Sequence, residues 1–139
     1  MFKSILIPTD GSPLATKAAK AGIALASALG AKVTCCYVVE DLRPAFGPRH
    51  GVDRQMVTEY NERARDVARK HIDAIGKFAA RRGVPFTSVV ATGHPPHAVI
   101  AAVAKKHRCD VVFMSTHGRS GLSRLMMGSV TQKVLLDSA

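Results

Sequence analysis

The 139-residue sequence has no tryptophan, three cysteines and no long uninterrupted apolar run. The longest mostly apolar stretch, Ala18 to Gly30, is interrupted by Lys20 and falls short of the roughly 18 apolar residues of a membrane-spanning helix. Cys35 and Cys36 are adjacent and Cys109 stands alone, so the sequence contains neither a CxxC motif nor an even-numbered disulfide framework. We therefore expect no membrane span and no structural disulfide, and we interpret the cysteines as small core side chains.

Acidic residues are half as frequent as basic ones, with 10 Asp and Glu against 20 Lys and Arg and a formal net charge of +10. Such an excess raises nucleic acid, an anionic membrane surface and phosphate-bearing ligands as partners. The first residues lack the long apolar region and the cleavage site of a secretory signal, which favours the cytoplasm. With 47% hydrophobic residues the chain can bury a core, and we expect residues 1–139 to form a single domain.

Apolar runs of strand length alternate with segments of helical period along the chain. These patterns predict strands at residues 3–8, 33–39, 84–91 and 110–114, and helices at residues 13–29, 53–82, 98–107 and from 128 onward. The second run has no charged residue and is typical of a strand that is covered on both faces. The order β-α-β-α-β-α-β-α predicts a single open, parallel, doubly wound, Rossmann-like α/β sheet with helices on both faces.

The first predicted helix has a recognisable beginning and end. Ser12 can accept a hydrogen bond from the first helical turn, and Pro13 suits the first helical position. Gly30 can adopt the left-handed conformation that ends a helix. The spacing predicts a buried side made of Leu14, Ala18, Ile23, Ala26 and Leu29.

The second predicted helix begins after Asp53, a suitable N-cap, and ends at Gly83. Its apolar residues recur at helical spacing: Met56, Val57, Tyr60, Ala64, Val67, Ala68, Ile72, Ile75, Phe78 and Ala79. The opposite side carries Arg63, Arg65, Asp66, Arg69, Lys70, Asp73, Lys77 and Arg81. A solvated surface explains this charge better than nucleic-acid binding, because acidic residues interrupt it and no aromatic residues are interleaved to stack on bases.

An open parallel sheet binds its ligands beyond the carboxyl ends of the strands, at the point where the strand order reverses. At that edge the sequence offers Asp10 after the first strand and Ser115 to Gly118 after the fourth. If the fourth strand lies beside the first, these two loops face each other across a crevice. We therefore expect the ligand site between them.

The segment that follows the fourth strand has the residue types of a phosphate site. Gly118 and Gly128 leave their backbone N–H groups accessible to an oxyanion, and Gly128 stands directly before a predicted helix start. Ser129, Val130 and Thr131 would add first-turn N–H groups, two hydroxyls and the positive end of the helix dipole. The P-loop and GxGxxG motifs are both absent, so the pattern indicates a different kind of polyphosphate site.

Three stretches together resemble the universal stress protein family: Phe2 to Ser12, Asp110 to Gly121, and Gly128 to Thr131. The resemblance extends over essentially the whole chain. The ATP-binding branch of that family carries Gly-x2-Gly-x9-Gly-Ser/Thr, and the present chain has Ser115-x2-Gly118-x9-Gly128-Ser129, with serine in place of the first glycine.

The resemblance implies a site for ATP or another adenine nucleotide, with Mg²⁺ or Mn²⁺ held through the phosphates near Asp10. The residues that it places at the nucleotide are Pro8, Thr9, Asp10, Val38, Met114, Ser115, His117, Gly118, Arg119, Gly128, Ser129, Val130 and Thr131. It also implies a homodimer, which the family builds through a fifth strand. The present sequence ends at Ala139 without that strand, so four strands are expected here.

The leading hypothesis is a nucleotide-dependent switch or regulator of the stress response, in which bound phosphates order the Glu40 to Val52 loop, a candidate lid. We expect slow or no ATP hydrolysis, because the sequence places no group besides Asp10 to orient an attacking water. One alternative is an interaction module without nucleotide, in which Ser115 closes the pocket. The other alternative is a nucleic-acid-binding protein, and the positive net charge is the only sequence feature that favours it.

Overall fold

A computed structural model of the protein describes residues 2–40 and 53–115. The elements in these ranges are, in chain order, β1 (Ser4–Thr9), α1 (Pro13–Leu29), β2 (Lys32–Val39), α2 (Arg54–Arg81), β3 (Phe86–Thr92), α3 (Pro96–Lys106) and β4 (Val111–Val112). They follow the predicted alternation of strands and helices. Apart from Glu40, the Glu40 to Val52 loop proposed as a lid lies outside the described residues, and so does the last predicted helix.

The four strands form one parallel sheet in the order β3-β2-β1-β4. Strand β1 is therefore paired on both edges, with Ile5 opposite Val33 of β2 and opposite Val111 of β4. The chain proceeds from β1 outward to β3 and then returns past β2 and β1 to form β4. The expectation that the fourth strand lies beside the first is confirmed, and the strand order reverses between β1 and β4.

Side chains that alternate along the strands supply two separate cores, one on each face of the sheet. The first core contains Ile5, Ile7 and Cys35 and is covered by α1 and α2. The second core contains Leu6 and Cys36 and is covered by α3. The prediction that the two adjacent cysteines are packing residues is confirmed, and burial raises the pKa of each thiol to about 12.

Helix α1 begins and ends as its sequence predicts. The Ser12 hydroxyl accepts a hydrogen bond from the N–H of Ala15 at 3.1 Å, and Gly30 adopts a left-handed φ of 66°. The predicted buried side is correct for Ile23 and Ala26 and wrong for Leu14, which is 51% exposed. The small residues Ala15, Ala19 and Gly22 face the sheet instead, because they let the helix backbone approach the strands closely.

Helix α2 is capped by Asp53, whose carboxylate accepts the N–H of Gln55 at 3.0 Å. The predicted inward side is correct for Val57, Ala68, Ile72, Ile75 and Ala79. It is wrong for Met56, Tyr60 and Val67, which are 63%, 57% and 46% exposed. The helix has 28 residues and is about 42 Å long, whereas an eight-residue strand spans about 26 Å, so the sheet cannot cover the whole helix.

The remaining boundaries differ from the predictions by a few residues. Strand β3 begins at Phe86, two residues after the predicted start, because Val84 and Pro85 form the connection that follows the left-handed Gly83. Helix α3 begins at Pro96 instead of Ala98, since proline fits the first helical turn. None of the helices in the described ranges is long and apolar enough to cross a bilayer.

Ile72 lies in the first core and is 1% exposed, so its removal tests whether α2 is held by apolar packing. We expect Ile72→Ala to lower the free energy of unfolding by about 2–5 kcal/mol, through lost apolar contacts and the cavity left behind. The control Val67→Ala, at an exposed position of the same helix, should change it by about 0.5 kcal/mol or less. Urea titration followed by circular dichroism measures both; equal losses would contradict the assigned packing.

A carboxylate fastens the start of β4 to the start of β1. Asp110 accepts the backbone N–H of Lys3 at 2.9 Å and that of Ser4 at 3.2 Å, and its own N–H donates to the Ser4 carbonyl at 2.9 Å. The two backbone donors lower the pKa of the Asp110 carboxyl, the Lys3 N–H most of all. This clamp sets the register in which the two paired residues of β4 lie beside β1.

Because the pKa of Asp110 is lower in the folded than in the unfolded protein, its ionised form stabilises the fold. That contribution is complete above the unfolded pKa of about 3.9 and is lost as the pH falls through the folded pKa. We expect Asp110→Ala to be less stable than the wild type at pH 7, with the difference shrinking below pH 4. Urea titrations at both pH values measure it; a difference independent of pH would contradict the clamp.

Candidate ligand-binding site

Three apolar residues that the family resemblance places at the nucleotide lie at or near the carboxyl ends of β2, β1 and β4. Pro8 of β1 pairs with Cys36 of β2, and Val38 follows two residues later on the same face. Leu6 pairs with Val112, so Met114 lies as far beyond Val112 as Pro8 lies beyond Leu6. Val38 and Met114 are partly buried at the second core, and Pro8 is half-buried. They give the carboxyl edge of the sheet an apolar surface on the face that α3 covers.

The turn that follows β1 holds Asp10 at this edge. One oxygen of the Asp10 carboxylate, Oδ1, accepts the N–H of Ser12 at 2.9 Å, and the hydroxyl and carbonyl of Ser12 then accept the N–H groups of Ala15 and Thr16. The carboxylate is thus part of a turn that leads directly into α1. Asp10 follows β1 at the reversal of strand order, where an open parallel sheet generally receives its ligand.

Thr9 has a structural contact in the same turn. Its side chain is 6% exposed, and its hydroxyl accepts the N–H of Gly11 at 3.2 Å. Since side chains alternate along β1, Thr9 points to the face of α1 and α2, while Pro8 points to the face of α3. Thr9 therefore lies on the other side of the sheet from Pro8, Val38 and Met114.

Gly11 and His71 meet at this turn, although they are far apart in the sequence. Gly11 has a φ of 80°, and a Cβ built on it would lie 2.8 Å from Cδ2 and 2.9 Å from Nε2 of His71 in α2. The His71 imidazole in turn stacks on the buried Tyr37 of β2, with ring centroids 6.2 Å apart and an interplanar angle of 16°. Sequence reasoning missed His71, because no local spacing connects it to the first strand.

A second contact from α2 reaches the same edge of the sheet. The guanidinium of Arg65 donates a hydrogen bond to the hydroxyl of Thr92, the last residue of β3, at 2.6 Å. The sequence pattern assigned Arg65 to a solvated basic surface, and nothing in that pattern indicates the contact. Helix α2 is thus joined to the ends of two strands, to β3 through Arg65 and to the β1 turn through His71.

The other predicted ligand residues fall at or beyond the end of the described chain. Ser115 is its last residue and is half-buried. The predicted phosphate residues lie outside the described residues: His117, Gly118, Arg119, Gly128, Ser129, Val130 and Thr131. Within residues 2–40 and 53–115, no three His, Cys, Asp or Glu side chains are grouped to hold a metal ion. A single carboxylate such as Asp10 fits a Mg²⁺ that keeps waters and phosphate oxygens as its other ligands.

Comparison with known proteins relates the whole chain to one family. The model of the Universal stress protein family matches residues 1–139. The chain is 32% identical over 139 residues to Universal stress protein MJ0531 of Methanocaldococcus jannaschii, covering 99% of this chain and 78% of the relative. It is 27% identical over 137 residues to Universal stress protein YxiE of Bacillus subtilis, covering 96% and 92% of the two chains.

Solved structures show the same fold. The structure of MJ0577, also from Methanocaldococcus jannaschii, superposes with a TM-score of 0.82 at 26% identity and covers 98% of this chain and 90% of its own. A universal stress protein in complex with cAMP superposes with a TM-score of 0.64 at 17% identity, covering 97% and 89%. The predicted doubly wound α/β fold is confirmed by these structures.

The chain offers a matched pair of glycines to test the contact between the turn and His71. Gly11 and Gly30 both have left-handed φ angles, of 80° and 66°, but a Cβ on Gly30 would have no atom within 4 Å. We expect Gly30→Ala to cost about 1 kcal/mol of stability from backbone strain alone. Gly11→Ala should cost at least about 1 kcal/mol more, because its methyl group displaces the imidazole. Urea titration measures both; equal costs would contradict the contact.

Proposed function

Because the chain belongs to the universal stress protein family, we propose that it binds an adenine nucleotide, ATP first among them, at the carboxyl edge of its sheet. The observation that carries the proposal is the position of β1 between β2 and β4. This order gathers Pro8, Val38 and Met114 on one face and sets Asp10 at the reversal of strand order. Because a universal stress protein with a similar fold has been solved in complex with cAMP, cAMP is a second ligand to test beside ATP.

In this proposal the apolar surface of Pro8, Val38 and Met114 receives the adenosine. The backbone N–H groups at Gly118 and Gly128 and the helix start at Ser129 to Thr131 hold the phosphates. Ser115, His117 and Arg119, which are close to Gly118 in the sequence, would complete the set of ligand residues. A bound Mg²⁺ or Mn²⁺ would neutralise phosphate charge, and the Asp10 carboxylate would orient it through its water or phosphate ligands.

We further propose that the nucleotide acts as a regulatory ligand, with slow or no hydrolysis. Bound phosphates would favour one arrangement of the residue 40–52 loop and of the Gly118 loop, and a protein partner would read that arrangement. The protein would work in the cytoplasm, as one domain over residues 1–139, and as a homodimer.

A second candidate function is an interaction module that works without nucleotide. The exposed apolar side chains Met56, Tyr60 and Val67 of α2 favour it, because they follow one another along one side of the helix. Exposed apolar groups at helical spacing are a usual way to dock a partner helix. In this alternative Ser115, where the family's ATP-binding branch has glycine, closes the pocket.

Isothermal titration calorimetry with ATP, ADP and cAMP, each with and without Mg²⁺, tests the proposal. We expect the wild type to bind ATP more tightly with Mg²⁺. Gly128→Asp and Ser129→Asp should remove measurable binding, because a carboxylate would repel the phosphates at the helix start. Asp10→Asn should weaken Mg²⁺–ATP binding about tenfold, the usual effect of losing a group that orients a metal.

The control is Asp73→Asn, which removes one negative charge from the exposed side of α2 and should leave ATP binding unchanged. Circular dichroism should show that every variant is folded. No binding by the wild type at millimolar ATP and Mg²⁺ would overturn the nucleotide proposal and favour the interaction module. Unchanged affinity in Gly128→Asp would show that the phosphates bind elsewhere.

A further inference from the structure

Side chains of β2 and α2 and the main chain of the β1–α1 turn contact one another in sequence next to the candidate site. Tyr37 of β2 is 7% exposed and stacks on His71 of α2. The edge of the His71 ring then lies against the main chain of Gly11, so closely that a Cβ there would sit 2.8 Å from Cδ2. Gly11 stands between Asp10 and Ser12, the two residues joined by the 2.9 Å hydrogen bond of the turn.

The ring stands in a fixed place, because α2 is held on both sides of it. Arg65 fastens the helix to the end of β3, about 9 Å along the helix axis from His71. Ile72 and Ile75 bury the following turn in the first core, at 1% and 2% exposure. The stacked Tyr37 restrains the imidazole from a second direction. The ring therefore limits how far the Gly11 main chain can move toward α2.

The local hydrogen bonds of the turn do not by themselves locate Asp10. The bonds from Gly11 to Thr9 and from Ser12 to Asp10 join residues two apart in the sequence. Such bonds define the shape of a turn, but a turn held only by bonds within itself can open and move relative to the sheet. Contact with a residue of another element fixes its position, and His71 supplies such a contact.

We propose that His71 is a positioning residue for the ligand site: its ring holds the β1–α1 turn so that the Asp10 carboxylate lies where a nucleotide-bound metal needs it. The inference rests on the proposed function for its ligand and on the Gly11 contact for its geometry. His71 contacts the turn and Tyr37, and it acts on the ligand through Asp10. The packing requirement is for a flat ring at this position, which phenylalanine also meets.

The test compares the wild type with His71→Ala, His71→Phe and Val67→Ala. Val67 lies one turn before His71, is exposed and carries no charge, so its truncation controls for loss of side-chain volume on α2. Calorimetry gives the magnesium gain of each protein, defined as the dissociation constant for ATP in EDTA divided by that in Mg²⁺. Adenosine is the second probe, because it lacks the phosphates that carry the metal.

We expect His71→Ala to reduce the magnesium gain about tenfold, as for other groups that orient metal ligands, and to bind adenosine like the wild type. His71→Phe and Val67→Ala should keep the gain. In an Asp10→Asn background, His71→Ala should cause no further loss, because both changes act through the same carboxylate. A merely structural role would weaken ATP and adenosine alike and leave the gain unchanged, and that result would overturn the inference.

Hydrogen exchange of the Ser12 amide in the ligand-free protein tests the positioning without any nucleotide. It should be several-fold faster in His71→Ala than in the wild type, His71→Phe or Val67→Ala, because the Ser12 hydrogen bond to Asp10 opens more often. Equal exchange in all four proteins would overturn the inference. If the wild type binds no ATP, the proposed function fails, and the Ser12 exchange still decides whether His71 positions the turn.

Discussion

The pairing of β1 on both of its edges is the constraint on which the rest of the structure depends. This strand is hydrogen-bonded to β2 and β4, and its side chains enter two different cores, Ile5 and Ile7 on one face and Leu6 on the other. A strand in that position cannot slide by one residue, because the slip would exchange the two sets of side chains between the cores. The end of β1 is therefore located by the whole sheet, and the turn that carries Asp10 begins from that fixed end and contacts His71. The chain leaves β1 toward β2 and returns much later to β4, so no direct crossover closes the space between β1 and β4 at the carboxyl edge. In open α/β sheets such a reversal of strand order is the place where a ligand crevice forms, whichever residues line it.

The sequence predicted those parts of the fold that depend on neighbouring residues. The cap at Ser12, the left-handed Gly30 and the cap at Asp53 each rest on a residue type acting on backbone groups within a few positions, and all three are confirmed. The burial of both faces of β2 could be predicted, because neither face of the residue 33–39 run carries a charged side chain that needs solvent. Errors appeared where burial depends on which distant element covers a side chain: Leu14 and Tyr60 have the spacing of core residues, yet both are exposed. For the site, resemblance supplied Pro8, Val38 and Met114, and the strand register shows them together on one face. It could not supply His71 or Arg65, whose contacts join α2 to strand ends far away in the sequence.

Several of the basic side chains that give the protein its positive net charge make contacts within the molecule, at or near α2. Two basic groups lie over the ring of Phe78 in α2 and cover apolar surface there. They are Lys20 of α1, 5.6 Å from the ring centroid, and Arg82 at the end of α2, 4.8 Å from it. Arg65 bonds to Thr92, and Arg69 pairs with Asp66 one turn away at 3.0 Å. These cations make contacts within the molecule, which weakens the argument that the net positive charge serves to bind nucleic acid.

Helix α2 also carries the exposed apolar side chains Met56, Tyr60 and Val67. No contact within the described residues accounts for their position on the surface.

The turn after β1 needs a glycine at position 11 for two independent reasons, the backbone conformation and the contact with His71. A φ of 80° disfavours any side chain, and the imidazole occupies the space that a side chain would fill. If conformation were the only reason, asparagine would be a tolerable substitute, since it visits the left-handed region more readily than other residues. The ring removes that option, because even a methyl group at position 11 must displace His71 or move the turn. Moving the turn carries Asp10 with it, and displacing His71 breaks its stack on Tyr37. The residue next to the candidate metal-orienting carboxylate is thus coupled to the packing of α2 against the sheet, and a change in either one is transmitted to the other.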